Sequence, residues 1–254
     1  MDKYLVSIIT PTHNSAKFVE KTISGILAQT YSNWELLITD DCSTDDTCAI
    51  LESFVSLDSR IKLFKLDKNA GAGVARNHSI ENAQGRFIAF CDSDDLWYPE
   101  KLKKQIQFML DKDTALTYTN YEEIDEKGQF LRKVYAPDKV YYKQMLKVDY
   151  VGFSTAIYDA KLLGKIYMNP QRKRQDWILL LTILKKTDFG HGLLETLVSY
   201  RIRENSISSN KILLYQYIWR VYRDSQEFSR LKSGYYLFLY TFSYFKKRFR
   251  SKIS

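Results

Sequence analysis

Cysteine is scarce in the sequence, and its spacing suits neither disulfides nor zinc. The 254 residues contain three cysteines, Cys42, Cys48 and Cys91. An odd number without a C-x-x-C pair argues against a secreted, disulfide-stapled scaffold. The N-terminal apolar run is broken by Pro11 and Asn14 and lacks a small-residue cleavage site. The longest largely apolar run, Tyr235–Phe245, is shorter than the roughly 20 residues of a membrane-spanning helix. We therefore expect a reduced, cytoplasmic protein.

The first four fifths of the chain have no net charge. The formal net charge is +8, and residues 211–254 contain ten Lys and Arg side chains against two acidic ones. This segment therefore carries the whole excess. A protein that coats nucleic acid has basic residues along its main binding face, so the charge distribution argues against a nucleic-acid partner. It predicts a separate anionic partner for the C-terminal segment.

Signatures of covalent catalysis and of histidine-based metal binding are also missing. His13, His78 and His191 do not have metal-ligand spacing, and no serine–histidine or cysteine–histidine pattern marks a nucleophile. What is present is an ordinary globular composition, with 45% hydrophobic and 27% charged residues. The length allows one large α/β unit.

Strands and helices alternate regularly over the first hundred residues. Short β-branched apolar runs predict four buried strands, at Leu5–Thr10, Trp34–Thr39, Ile61–Leu66 and Phe87–Cys91. Between them, apolar residues recur at helical spacing. This order predicts the α/β class, with a mostly parallel central sheet flanked by helices. Ligands of such sheets bind at the carboxyl ends of the strands, and the polar clusters of this sequence fall at those ends.

The pattern is weaker beyond Pro99 but still predicts elements. They are a helix around Leu102, a strand at Ala115–Thr119, a charged irregular segment or hairpin at 121–140, a strand at Phe153–Tyr158, a buried helix at Asp176–Leu184 and a strand at Leu197–Ile202. Apolar residues at helical spacing in 211–254 predict a C-terminal helical extension.

Asp92, Ser93, Asp94 and Asp95 directly follow the fourth predicted strand. Carboxylates this close repel one another unless a cation or a hydrogen-bond network compensates. Carboxylate oxygens suit hard divalent ions such as Mg²⁺ or Mn²⁺, which commonly bridge protein to phosphate. The alternatives are a solvated acidic turn, or a turn in which Asp95 caps the following helix. The preceding buried strand favours the metal site.

Three further clusters are candidates for ligand binding. Asp41 ends the second strand, where a carboxylate is a good acceptor for the N–H edge of a nucleobase. Arg76 lies in the first turn of a predicted helix, where a cation opposes the helix dipole unless an anion is near. Asp176 precedes an apolar run and is either a functional carboxylate or a helix N-cap. The polar loop Arg201–Ser208 says little by itself.

These motifs together resemble glycosyltransferase family 2. The matching segments are Pro11 to Asn14, Gln29 to Tyr31, Asp40 to Asp45, Asn69 with Gly71, Arg76-Asn77, Gly85, and Asp92 to Asp95 with Pro99. The later half matches only through Gln175-Asp176 and the Arg201–Ser208 loop. The resemblance implies the GT-A fold as one domain over 1–210, with a nucleotide-sugar-binding half at about 1–110 and an acceptor-binding half at 111–210. Residues 211–254 would form a basic, aromatic helical tail.

Carried over by position, the resemblance implies a role for each motif. The residues that would bind the nucleotide-sugar donor are Pro11, Thr12, His13, Asn14, Asp41, Asn69, Arg76, Asp92, Ser93 and Arg203. Asp94, with Asp92 beside it, would hold Mn²⁺ or Mg²⁺ on the diphosphate, and Asp176 would be the general base. The sequence departs from the family pattern at three positions, with His13 for a tyrosine, Cys42 for a glycine and Arg203 for a histidine.

The implied activity is that of an inverting, metal-dependent glycosyltransferase. We expect a UDP-sugar donor, a hexosyl or N-acetylhexosaminyl product and a saccharide acceptor. By analogy the acceptor is lipid-linked, in synthesis of bacterial O-antigen, lipooligosaccharide or capsule at the cytoplasmic face of the inner membrane. One alternative is a nucleotidyltransferase that makes a nucleotide sugar. Another is a non-catalytic basic module that binds membrane or nucleic acid through 211–254, where the helices either lie on anionic lipid or pack on the body.

Overall fold

The computed structural model describes residues 2–203 and 211–250, with side chains at 2–203 and 214–243. Its strands are β1 (Val6–Thr12), β2 (Trp34–Asp40), β3 (Ile61–Lys65), β4 (Phe87–Phe90), β5 (Leu96–Trp97), β6 (Leu116–Ile124), β7 (Phe130–Val134), β8 (Lys139–Val140), β9 (Ile157–Asp159) and β10 (Gly190–Arg201). Its α-helices are α1 (Val19–Leu27), α2 (Thr47–Leu57), α3 (Ala72–Asn82), α4 (Lys101–Lys112), α5 (Tyr142–Met145), α6 (Ala160–Leu163), α7 (Gln175–Lys186), α8 (Lys211–Arg220) and α9 (Arg230–Arg250). A 3₁₀-helix (Phe153–Thr155) and a π-helical segment (Val221–Ser225) complete the described elements.

One sheet runs through the whole body in the strand order β3-β2-β1-β4-β9-β6-β10-β5, with β7 beside β6 and β8 beside β10. The first four strands of this order are parallel to one another, and so are β6 and β10. β9 runs antiparallel between β4 and β6 and joins the two parallel groups. Two buried apolar clusters hold the helices against the sheet. The prediction of an α/β fold with a mostly parallel central sheet and a helical C-terminal extension is confirmed.

The parallel strands β2, β1 and β4 place three polar loops side by side. Thr12 at the end of β1 is in register with Asp40 at the end of β2, and Ile9 of β1 with Phe90 at the end of β4. The loops that follow these strands therefore meet at one edge of the sheet. They contain most of the residues predicted to bind nucleotide and metal.

The second half differs from the prediction in its strand boundaries. β6 and β10 are longer than predicted because the two pair in parallel along most of their length. The segment 121–140 contains the predicted hairpin, in which β7 runs antiparallel to β6. The predicted strand Phe153–Tyr158 is wrong in its first part, which is the 3₁₀-helix. This turn allows Ser154 to contact the residues after β4.

The C-terminal extension is helical and packs one side against the body. Tyr236, Leu237 and Tyr240 of α9 contact the buried apolar cluster that includes α7. The rings of Trp177 and Tyr240 lie with their centroids 5.5 Å apart. Within the described residues, no helix has both the length and the hydropathy needed to cross a bilayer.

Candidate functional site

The turn after β4 is braced by the fully buried carboxylate of Asp95. One Asp95 oxygen accepts a hydrogen bond from the Ser154 hydroxyl, and the other accepts from the backbone N–H of Arg201 at 2.9 Å. The Ser154 hydroxyl in turn accepts the N–H of Asp92 at 3.1 Å. Burial, together with the charges of Asp94 and Asp92, raises the pKa of Asp95. Asp95 therefore holds the turn in place through its buried side chain. It does not cap the next helix, whose N-cap is Glu100.

The other two carboxylates of the turn are partly exposed, and each is paired with an arginine. Arg76 Nη2 lies 2.5 Å from Asp92 Oδ1, and Arg203 Nε lies 2.6 Å from Asp94 Oδ2. The Arg203 Nε–H lacks the alignment of a hydrogen bond, so that contact is an ion pair. Burial raises the pKa of Asp94, and the Arg203 cation opposes this shift. The negative charges of Asp92 and Asp94 thus repel each other and are compensated by neighbouring cations.

This donor set fits a divalent metal that is shared with a phosphate ligand. Among the described residues, no group of three or more His, Cys, Asp or Glu side chains could enclose an ion without other ligands. Asp92 and Asp94 supply hard carboxylate oxygens. Mg²⁺ sites typically use one or two carboxylates and complete their coordination with water and substrate phosphate. Asp92 and Asp94 are therefore suited to such an ion.

Asp41 ties the loop after β2 to the segment before α3. Its two carboxylate oxygens accept the backbone N–H groups of Ala70 and Gly71 at 2.6 and 2.7 Å. Its backbone carbonyl lies 2.9 Å from His13 Nδ1 and 3.4 Å from Asn69 Nδ2. The structure therefore brings together His13, Asp41 and Asn69, three of the residues predicted to bind the nucleotide.

The remaining predicted residues of the first loop support its shape. Pro11 and Thr12 are buried in β1, and the Thr12 hydroxyl donates to Asp40 Oδ1 at 2.9 Å. Asp40 also accepts the N–H and the hydroxyl of Ser43. The Asn14 side chain accepts the N–H of Thr44 at 2.8 Å. Asp40 thus supports the loop, a role that sequence reasoning did not assign, because Asp40 and Asp41 are both buried and differ only in their hydrogen-bond partners.

Ser93 and the arginines at or just after the end of β10, Arg201 and Arg203, contact the first loop and the turn after β4. The Ser93 hydroxyl lies 2.8 Å from that of Ser15. Arg201 is buried, and its Nε donates to the carbonyl of Asp94 at 2.9 Å. The guanidinium groups of Arg201 and Arg203 both lie 4.9 Å from the ring centroid of Phe18. Arg201 was missed because an arginine at the end of a strand gives no signal until the strand order is known. Residues 204–208 of the predicted polar loop lie outside the described residues.

The N-terminus of α3 lies against the N-terminus of α7. Gly71 is the N-cap of α3 with φ +94°, a value that disfavours a side chain. A Cβ atom at Gly73 would lie 2.2 Å from Gln175 Oε1, so this position has no room for a side chain in the present arrangement. Arg76 on the same helix lies 5.1 Å from the ring centroid of Phe153 and points to Asp92. Gly71 is therefore required for its backbone conformation, and Gly73 for its close packing against Gln175.

Asp176 lies in the first turn of α7, whose N-cap is Arg174 with φ +63°. The interpretation of Asp176 as the N-cap is therefore wrong. Burial raises the pKa of Tyr200, and the negative charges of Asp95, Asp92 and Asp176 raise it further. Tyr200 thus lies within electrostatic reach of Asp176 and of the turn after β4. The half-buried Asp176 carboxylate shares one region with the carboxylates suited to a metal.

A parallel sheet that brings an aspartate after β2, a D-x-D turn after β4 and a further carboxylate on α7 together defines the class of GT-A nucleotide-sugar glycosyltransferases. The family model described as "Glycosyl transferase family 2" matches residues 7–167. The chain belongs to glycosyltransferase family 2. This membership decides against the nucleotidyltransferase and the non-catalytic alternatives.

Two relatives are similar over nearly their full length. TuaG of Bacillus subtilis, which its name assigns provisionally to teichuronic acid biosynthesis, is 40% identical over 247 residues, covering 97% of this chain and 98% of the relative. The UDP-Glc:alpha-D-GlcNAc-diphosphoundecaprenol beta-1,3-glucosyltransferase WfgD of Escherichia coli is 41% identical over 241 residues, covering 94% and 93%. Relatives of this chain are thus glycosyltransferases of polysaccharide synthesis, one of which has a lipid-linked acceptor.

Solved structures confirm the GT-A fold. S. aureus TarS 1-349 in complex with UDP-GlcNAc has a TM-score of 0.73 at 22% identity, covering 93% of this chain and 71% of that chain. The mannosyltransferase PcManGT from Pyrobaculum calidifontis in complex with GDP-Man and Mn²⁺ has a TM-score of 0.69 at 15% identity, covering 92% and 70%. At these identities the likeness concerns the fold alone.

Proposed function

We propose that the protein transfers a hexosyl or N-acetylhexosaminyl group from a UDP-sugar to a hydroxyl of a lipid-linked saccharide, with inversion at the anomeric carbon. The product would be part of a bacterial surface polysaccharide. The observation that carries the proposal is the pair of partly exposed carboxylates after β4, Asp92 and Asp94, each facing an arginine at the carboxyl ends of the parallel strands. The names of TuaG and WfgD and the UDP-GlcNAc bound to TarS support the choice of substrates.

The donor is proposed to bind to the half formed by residues 1–110. His13, Asp41 and Asn69 would hold the base and ribose, since their polar atoms cluster where three strand-end loops meet. Pro11, Thr12, Asn14 and Ser93 would fix these loops through the contacts described above. Arg76 and Arg203 would turn toward the diphosphate, because each is already within reach of the carboxylates that face it.

Asp92 and Asp94 would hold Mn²⁺ or Mg²⁺ in the donor complex. When bound, such an ion supplies Lewis-acid stabilisation of the negative charge that develops on the leaving diphosphate. The Asp95–Ser154 brace keeps both carboxylates in place without reorganisation. The cations of Arg76 and Arg203 would be released from their ion pairs to stabilise the same charge.

Asp176 is proposed to be the general base of the acceptor-binding half, residues 111–210. Its carboxylate would accept the proton of the acceptor hydroxyl as that oxygen attacks the anomeric carbon. The bond from that carbon to the diphosphate breaks in the same step, so one displacement inverts the configuration and needs no covalent enzyme intermediate. General-base catalysis of this kind contributes about 10²- to 10⁴-fold.

The test of the donor site is nucleotide-sugar binding with and without metal. UDP-glucose and UDP-N-acetylglucosamine are added to the wild-type protein with and without Mn²⁺, and Tm is measured. We expect a rise in Tm that is largest when donor and Mn²⁺ are present together, because a ligand that binds only the folded state stabilises it. Asp94→Ala should lose the Mn²⁺-dependent part of the rise and transfer activity.

The exposed acidic residue Asp188 supplies a matched control for the donor site. Asp188 lies on the connection between α7 and β10, and the Asp188→Ala variant should show the full Tm rise. Full activity in Asp94→Ala would contradict the metal assignment. A Tm response to other nucleotide sugars but not to UDP-sugars would contradict the donor.

The place of action is proposed to be the cytoplasmic face of the inner membrane. WfgD acts on an acceptor joined to diphosphoundecaprenol, as its name states. An enzyme with such an acceptor must reach the surface of the bilayer in which the lipid is embedded. The basic segment 211–254 is the part of this chain suited to an anionic surface.

A further inference from the structure

The outer face of α9 carries apolar side chains that the body leaves uncovered. Leu231, Tyr235, Phe238 and Phe242 are 89%, 59%, 66% and 60% exposed. Spacings of four, three and four residues place them on one side of the helix, and we call these four residues the outer stripe. Exposed apolar residues scattered singly are ordinary, whereas a contiguous group indicates a binding surface.

The inner face of the same helix is fully used by the fold. Ser233 is buried, and the ring of Tyr236 packs 5.4 Å from that of Phe228. Tyr240 contacts Trp177, and Arg174 Nη2 donates to the Tyr240 hydroxyl at 3.1 Å. The helix is therefore held rigidly with its outer stripe facing away from the body. One face of the helix is thus packed on the body, as one interpretation of the tail predicted, and the residues of the outer stripe are exposed.

The positive charge of this segment indicates which kind of partner binds the outer stripe. The segment 211–254 carries the whole net charge of +8, and the sequence of the last turns of α9 contains Lys246, Lys247, Arg248 and Arg250. Aromatic and leucine side chains on one face with basic residues near them are the composition of helices that lie in a lipid–water interface. A second protein chain with a neutral apolar patch would gain nothing from this concentration of positive charge.

We propose that α9 lies in the plane of an anionic bilayer with the outer stripe inserted at the headgroup boundary. The proposal rests on the proposed function in one respect, because the lipid-linked acceptor explains why the enzyme would bind there. It adds which surface faces the lipid and how that surface is joined to the site. The ligand of this helix would be a surface of anionic phospholipids.

The inner-face contacts of α9 connect this surface to the candidate base. Arg174, which donates to Tyr240, is the N-cap of α7 and precedes Asp176 by two residues. The bilayer would therefore lie on the side of the protein that carries Asp176. An acceptor saccharide that projects from the bilayer would then approach this carboxylate, while the donor loops lie at the ends of β1, β2 and β4.

The test is sedimentation of the full-length protein with vesicles. Vesicles of phosphatidylcholine alone are compared with vesicles of phosphatidylcholine and phosphatidylglycerol. We expect wild-type protein to bind the mixed vesicles, with binding that weakens at high salt. Phe238→Ser/Phe242→Ser should bind at least about tenfold more weakly, because two inserted aromatic rings are lost. The matched control Leu57→Ser/Leu162→Ser removes two side chains that are 81% and 60% exposed elsewhere and should bind like wild type.

The outcomes separate this proposal from the proposed function. Equal binding of wild type and Phe238→Ser/Phe242→Ser, or no binding of wild type, would overturn the membrane contact. A dimer in solution that the same double substitution dissociates, without vesicle binding, would show that the outer stripe joins two copies and would also overturn it. Transfer to a water-soluble acceptor should be unchanged in the double variant. Vesicle binding without transfer to any acceptor would leave the membrane contact standing and refute the proposed function.

Discussion

The two sides of the candidate site are built by different means. On the donor side, short hydrogen bonds link the polar groups of three loops, and Asp40, Asp41 and Asp95 each accept two or more. On the acceptor side, Asp176 is placed by the packing of α7 between α3 and α9. The donor side is therefore preorganised by hydrogen bonds between loops that are distant in sequence, whereas the position of the base depends on the packing of helices.

The largest effect is expected from a substitution of Asp176, which should impair the acceptor side and leave the donor side unchanged. Asp176→Asn keeps the size of the side chain but removes a base that accepts a proton. Transfer should fall by about 10²- to 10⁴-fold, the contribution of general-base catalysis. Donor binding, followed by the Tm rise with UDP-sugar and Mn²⁺, should stay unchanged because the donor contacts lie on other elements.

Asp188→Asn is the control for this change, since Asp188 is exposed at the far end of α7. It should transfer at the wild-type rate. If Asp176→Asn were as active as wild type, another group would be the base. If it lost donor binding as well, the division into two sides would be wrong.

The separation of the contacting residues in sequence explains what could be predicted. The alternation of strands and helices fixed the α/β class, and the position of Asp92, Ser93 and Asp94 after a buried strand placed the D-x-D turn. The roles of Arg201 and Ser154 could not be predicted, because each reaches the turn from β10 or from the 3₁₀-helix through long-range pairing. Local patterns report contacts between neighbouring elements, and a single sequence contains no direct record of contacts between distant ones.

A smaller effect is expected where the two sides touch, at Gly73. Gly73→Ala adds a Cβ atom that would lie 2.2 Å from Gln175 Oε1, so the N-terminus of α7 or the Gln175 side chain must move. Because Gln175 Oε1 is the end of a flexible side chain that rotates away from the new Cβ, the displacement of Asp176 should be small, and we expect kcat to fall by roughly two- to tenfold. Donor affinity should change much less. The measurement is kcat with saturating donor and acceptor.

Two further variants sharpen the Gly73 experiment. Gly73→Ala/Gln175→Ala shortens the side chain that meets the new Cβ and should recover most of the lost rate. Gly234→Ala, where nothing lies within 4 Å of an added Cβ, should behave like wild type. Failure of the double variant to recover activity would show that Gly73 matters for another reason than its contact with α7.

An effect on stability alone, without a change of transfer rate, tests an exception on the donor side, the buried amino group of Lys101. Its Nζ lies 4.0 Å from the ring centroid of Trp97, just after the D-x-D turn, and no group in the described part of the chain hydrogen-bonds to it. Burial lowers the pKa of Lys101 to about 7. Between about pH 7 and the ordinary lysine value near 10.5, the unfolded chain therefore binds a proton that the folded protein does not.

This lysine should make the free energy of unfolding rise with pH in that window. The slope expected from one such group is roughly 1.4 kcal/mol for each pH unit. Lys101→Met removes the titrating group, so its stability relative to wild type should be greatest near pH 7 and decline as the pH approaches 10. Urea unfolding at several pH values measures the difference, and Lys103→Met, on the exposed face of the same helix, should follow wild type throughout. A constant difference between Lys101→Met and wild type over this range would mean that Lys101 keeps its charge in the folded protein. Lys101 would then be a charged group with a stabilising partner, like the other charged groups of the donor side, and that partner would be the Trp97 ring.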